Sequence, residues 1–259
     1  MDKPSRSYIH RLKKARRRFF EKGSPISLAD ILQRLETAYH GRDCIVERVR
    51  KKTVVHTSDE FCSDVRALSA YLLKNGLNGN AALVSENSYS WLVSFFAVTC
   101  SGFVCVPLDR ELPDGALVSL AEKADCTCFL FSRTYNKAAE AFCKEKNCTS
   151  LCIDGESFES ALSDGKQLLK NGFQALQLSK IKGDDPAAIV FTSGTTGANK
   201  GVLLSHKNLV SSVQGVLSVI EPVYSALSVL PMNHTYELSC CVLSALCLGA
   251  VLYINDSFR

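Results

Sequence analysis

Apolar residues recur along this chain in two alternating rhythms. Between Ser27 and Tyr39, Leu28, Ile31, Leu32 and Leu35 keep helical spacing, with Ser27 placed as an N-cap and Asp30 three positions on. Cys44–Val49 and Thr53–His56 read as the short strands of a hairpin. A helix then opens at Ser58 with Asp59 and Glu60 in its first turn, where the helix dipole favours acids. Its apolar positions are Phe61, Val65, Leu68, Leu72 and Leu73, and Asn75-Gly76 ends it. From Ala81 onward strands and helices alternate. Strands are predicted at Ala81–Val84, Phe103–Val106, Cys126–Phe131, Thr149–Ile153, Ala187–Phe191, Val202–Leu204, Ala226–Leu230 and Ala250–Ile254. Helices are predicted at Tyr89–Cys100, Pro113–Lys123, Tyr135–Glu145, Phe158–Leu169, Leu209–Ile220 and Leu238–Leu246. This alternation implies right-handed crossovers and an α/β fold of mostly parallel sheets flanked by helices.

Two long uncharged stretches, Asn87–Leu108 and Leu238–Asn255, raise the question of a membrane span. Both are broken by Ser, Thr, Cys and Gly, and a buried helix running into a buried strand accounts for each, so no transmembrane span is expected. Charge adds a boundary. Residues 1–22 hold nine Lys/Arg against two acids, whereas the other 237 residues hold 21 basic and 24 acidic side chains. Residues 1–26 are therefore read as a basic arm and 27–259 as the globular portion, with Asn171–Asp185 the one linker-like segment inside it. In the arm, Ile9, Leu12, Ala15 and Phe19 fall on one helical face. Arg11–Lys22 reads first as a solvated helix and second as a surface for an anionic membrane or nucleic acid. The twelve cysteines include no Cys-x-x-Cys pair, and most sit in apolar runs. They read as reduced, buried thiols of a cytoplasmic protein.

The most informative segment runs from Ala187 to Val202. An apolar strand empties into Thr192-Ser193-Gly194-Thr195-Thr196-Gly197, followed by Ala198-Asn199-Lys200. Glycines let backbone N–H groups turn toward an anion, hydroxyls add donors or a magnesium contact, and the lysine adds charge suited to polyphosphate. A Walker loop is excluded, because the second glycine it requires falls on Asn199.

Thr192 to Lys200 resembles the phosphate-binding signature of the adenylate-forming superfamily, which includes acyl-CoA synthetases, luciferases and peptide-synthetase adenylation domains. Asn199 stands where that family usually has proline, which predicts a looser loop. The passage Asn87–Leu108 with Asp109-Arg110-Glu111-Leu112-Pro113, the helix start Ser205-His206-Lys207-Asn208-Leu209, and Leu230-Pro231-Met232-Asn233-His234-Thr235-Tyr236-Glu237 extend the resemblance, towards long-chain acyl-CoA synthetases in particular.

The resemblance implies that a carboxylate attacks the α-phosphate of Mg-ATP to give an acyl-adenylate and pyrophosphate, after which a thiol displaces AMP. Thr192, Ser193, Gly194, Thr195, Thr196, Gly197 and Lys200 would hold the phosphates, with Thr196 also touching Mg2+. His234 would stand beside the reacting carboxylate, Met232 and Tyr236 would be wall residues, and His206 would be structural. The substrate is expected to be a carboxylic acid whose identity the sequence leaves open, a fatty acid being one candidate, and the thiol that of CoA or a carrier protein. Family segments for adenine, ribose and the catalytic lysine are not found before Arg259. The chain is thus expected to be the N-terminal part of the adenylate-forming fold, inactive until completed. The rival readings are a catalytically dead ATP- or partner-binding module and the anion-binding arm.

Overall fold

A computed structural model describes residues 5–49, 51–145, 148–175, 178–193 and 199–255. The chain opens with α1 (Arg6–Phe19) and α2 (Leu28–Ala38), followed by the hairpin strands β1 (Asp43–Val49) and β2 (Lys52–Thr57). Next come α3 (Ser58–Lys74), β3 (Asn80–Val84), α4 (Tyr89–Cys100), β4 (Cys105–Pro107), α5 (Asp114–Lys123) and β5 (Cys126–Phe131). A single 3-10 turn, Arg133–Tyr135, leads into α6 (Asn136–Glu145), then β6 (Thr149–Cys152) and α7 (Gly155–Lys170). The remainder is β7 (Pro186–Ser193), β8 (Asn199–Ser205), α8 (His206–Val219), β9 (Ser225–Ser228), a π-helical stretch Glu237–Leu243, α9 (Ser244–Leu248) and β10 (Val251–Ile254).

The described strands form two sheets, ordered β2-β1-β10-β9 and β6-β5-β3-β4-β7-β8. All neighbours are parallel except the hairpins β1/β2 and β7/β8. Successive residues of the central strands serve opposite faces, as the period of two requires. Ala81, Leu83, Cys128 and Leu130 join a core built with α2, α3, α4 and α7. Ala82, Val84, Phe129 and Phe131 join a second core under α5 and α6, with Leu117, Leu120 and Phe142. Burial on both faces explains why these strands read as continuous apolar runs.

Local signals set the helix ends. Thr57, one residue before the predicted start, caps α3 in a reciprocal box with Glu60, and Ser205 does the same for α8 with Asn208. Helices α3 and α7 meet at Gly165, where an added Cβ would lie 1.9 Å from the Ala67 carbonyl oxygen. The expected strand Val202–Leu204 is longer, Asn199–Ser205, because full antiparallel pairing with β7 carries its polar first residues into the ladder. The expected helix Leu238–Leu246 starts as a π-helix, and the hydroxyl of Ser244, the first residue of α9, donates back to the Ser239 carbonyl at 2.8 Å.

The apolar stretch Asn87–Leu108 becomes α4, buried along nearly its whole length, and β4. No helix among the described residues is long and apolar enough to cross a membrane. The first helix does not stand free in solvent. Leu12 and Phe19 are fully buried, and Phe19 stacks on Tyr39 with centroids 5.3 Å apart. All twelve cysteines are thiols without disulfides, and burial pushes Cys44 and Cys100 up to about 12, keeping them protonated and inert near neutral pH. Cys240 and Cys241 are only half-buried, unlike the other thiols of the apolar runs.

Candidate active site

Strand β7 enters the sheet beside β4 and leaves it at Thr192 and Ser193, so the sheet itself fixes where the hydroxyl-rich loop begins. On the returning strand, Lys200 pairs with Thr192 and Asn199 with Ser193. Both Thr192 and Lys200 are exposed, one on each side of the hairpin neck. The predicted phosphate-binding residues Gly194, Thr195, Thr196 and Gly197, with Thr196 the predicted magnesium contact, lie outside the described residues. Asn199, expected to loosen the loop, is a strand residue whose carbonyl accepts from Lys123 Nζ at 2.5 Å.

Beside this neck lies a mainly apolar cleft of about 410 Å3, bounded by Val190, Thr192, Val202, Leu204, Leu209 and Ser212 on one side. Thr235, Tyr236, Ser239 and Cys240 close the other side. Tyr236 is thus a wall residue as expected, with 68% of its surface exposed. Met232 is not. It is 1% exposed and belongs to the core, and its backbone N–H donates to the buried Asn87 Oδ1 at 2.9 Å. His234 is exposed and is not among the cleft-lining residues; its N–H closes a turn onto the Pro231 carbonyl at 3.0 Å.

Two residues with no assigned role in the sequence reading organise this wall. Asn87 donates from Nδ2 to the Leu230 carbonyl at 2.7 Å while accepting from Met232, so one amide holds both ends of the turn before His234. Glu237, 3% exposed, accepts the Val229 N–H at 3.1 Å and ties the π-helix to the residue just after β9. The only local signal for Asn87 is its place in the turn between a strand and the next helix, and its partners lie far off in sequence.

His206 is structural, as expected. It is fully buried, its Nδ1 accepts the Leu28 N–H at 3.3 Å, and burial lowers its pKa to about 4. Among the described residues no three His, Cys, Asp or Glu side chains are grouped to hold a metal. A larger cleft of about 940 Å3, between the β1/β2 hairpin and the starts of α4 and α7, contains none of the predicted site residues.

A family model described as "AMP-binding enzyme" matches residues 33–259. The chain belongs to the AMP-binding enzyme family. It is 26% identical over 231 residues to 4-coumarate–CoA ligase-like 6 of Arabidopsis thaliana, a match covering 85% of this chain and 40% of the relative. The fold is similar to that of a Mycobacterium tuberculosis fatty acyl CoA synthetase, at TM-score 0.76 and 20% identity over 90% of this chain and 45% of that one. It is similar to ATP-bound MatB from Rhodopseudomonas palustris at TM-score 0.74 and 23% identity, over 89% of this chain and 46% of that one. The chain therefore spans less than half the length of these relatives, and the match is to the N-terminal part of the adenylate-forming fold.

Proposed function

We propose that this AMP-binding chain supplies the triphosphate grip and the acyl cleft of an ATP-dependent acid–thiol ligase. The observation that carries the reading is the juxtaposition of Thr192 and Lys200 at a hairpin neck with an apolar cleft walled by Thr235 and Tyr236. On this reading a carboxylate oxygen bonds to the α-phosphorus of ATP as the bond to pyrophosphate breaks. The thiolate of CoA, or of a carrier protein, then takes the acyl carbon and releases AMP. Lys200 opposes the charge gathering on the departing phosphates, and the Thr192 and Ser193 hydroxyls, with the loop 194–197, orient them. Mg2+ supplies further charge neutralisation when bound. On this reading the ion would be held by the substrate phosphates with the Thr196 hydroxyl as the protein ligand this segment offers. The cleft would receive the apolar end of the acid, with Tyr236 and Cys240 bounding its length. His234, which does not line the cleft, would meet the carboxylate only at its mouth. A fatty or aryl acid fits that lining.

ATP–pyrophosphate exchange against a panel of carboxylates tests this, on the chain and on a version extended in its original reading frame. Exchange in the extended form is the expected result. ATP binding without exchange in either form would instead identify a catalytically dead nucleotide-binding module. Lys200→Ala is expected to weaken ATP use about tenfold or more by removing a charge-assisted contact. Unchanged exchange kinetics would show the lysine misassigned.

A further inference from the structure

The family match begins at residue 33, so α1 lies outside it. The helix is nevertheless fixed to the body. Ser5 caps it, Leu12 and Phe19 are buried, and Arg16 turns inward, donating to the carbonyls of Leu248 and Val223 and lying 5.8 Å from the Tyr224 ring centroid. With its apolar stripe and one arginine used in docking, the helix presents mostly cations outward, Ser7 and His10 being the neutral exposed residues and Glu21 the one acid just past its end. Arg11, Lys13, Lys14, Arg17, Arg18 and Lys22 are all exposed, and residues 5–20 contain no acid. Among the described residues none of these six takes part in an ion pair. Exposed aliphatic side chains occur in segments that are tied to α1 or to the chain just after it. The Arg16 contact brings the segment holding Val219, Ile220 and Val223 against α1, and Gln214 Nε2 donates to the Pro25 carbonyl, next to Ile26. Val219 is 81% exposed and Ile26 61%.

We propose that this face binds the surface of an anionic lipid bilayer. The cations meet the headgroups, each contributing about fivefold to partitioning near such a surface, while Val219 and Ile26 enter the interfacial layer. Because Leu12 and Phe19 stay in the protein core, the helix lies on the membrane and does not insert into it, and the attachment is released by salt. The aliphatic residues favour a bilayer over a nucleic acid, since they gain nothing from a phosphate backbone. The proposal stands apart from the acid-activation reading, because its readout involves no nucleotide and no turnover.

The test is flotation of the full chain with vesicles of phosphatidylcholine alone or of phosphatidylcholine mixed with phosphatidylglycerol. The chain is expected to float with the mixed vesicles only, and less as salt rises. The variant K13Q/K14Q/R17Q/R18Q, which alters exposed side chains only and is checked for folding by circular dichroism, should lose about a hundredfold or more in affinity. The variant V219S/I26S should lose several-fold on vesicles while keeping its affinity for heparin, which offers charge without an apolar layer. Equal flotation of the chain and the charge variant, no flotation at low salt, or an unchanged affinity of V219S/I26S for vesicles would each overturn the proposal. So would displacement from vesicles by duplex DNA or RNA through the same lysines and arginines with no preference for lipid.

Discussion

Single side chains far from the predicted motif decide whether the cleft keeps its shape. Asn87 satisfies the Leu230 carbonyl and the Met232 N–H at once, in a position 6% exposed to solvent. Asn87→Ala leaves both groups without that partner, and a loss of about 2–3 kcal/mol is expected in urea unfolding. An unchanged midpoint would mean the turn has other support. His206 makes a pH prediction. Its folded pKa of about 4 lies below the ordinary value of 6.5, so the unfolded chain binds the proton more readily. The histidine's contribution is complete above pH 6.5, shrinks as pH falls, and is lost by about pH 4, a total of roughly 3 kcal/mol. His206→Gln, which can still accept from Leu28, should flatten the decline between those values. At this scale the sequence disclosed Thr192 and Lys200, because a hydroxyl-glycine-lysine string is local. It did not disclose Asn87, because an amide whose partners lie more than 140 residues away has no local pattern. The burial of Met232 is likewise a matter of tertiary packing that its local sequence does not display.

At the level of elements, close approach and capping do more than propensity. Gly165 lets α7 meet the backbone of α3, so Gly165→Ala should cost about 1–3 kcal/mol through overpacking. Gly215, exposed on α8 with nothing within 4 Å of its notional Cβ, is the opposite case. Gly215→Ala should stabilise by about 0.5–1 kcal/mol by lowering the entropy lost on folding. Thermal unfolding of the two variants side by side checks both signs. Most helices and strands were legible, since capping residues and apolar spacing are written locally. The π-helix was not, because seven largely apolar residues carry no usable difference between a period of 3.6 and a wider one. The extent of β8 was also hidden, since Asn199, Lys200 and Gly201 have no strand pattern and are drawn in by pairing with β7.

Across the whole molecule, alternation foretold parallel sheets and helical layers, but not that the strands divide into two sheets or in what order. Strand order depends on which edges meet in space. Strand β10 illustrates this, lying between β9 and β1, with Leu252 paired to Ile45 about 200 residues earlier. The docking of the first helix likewise uses the carbonyl of Leu248. During synthesis the strands β3 to β8 can assemble from segments already made, whereas the β1/β2 hairpin keeps an open edge until β10 has left the ribosome. Nascent chains stalled before β10 should therefore resist proteolysis across the six-stranded sheet and be cut within the first 57 residues, and chains stalled well beyond Ile254 should resist throughout. Equal protection at both lengths would contradict this order. Until that moment the growing polypeptide shows an unpaired strand edge to its surroundings, the kind of surface that chaperones cover and that neighbouring chains on a polysome can join.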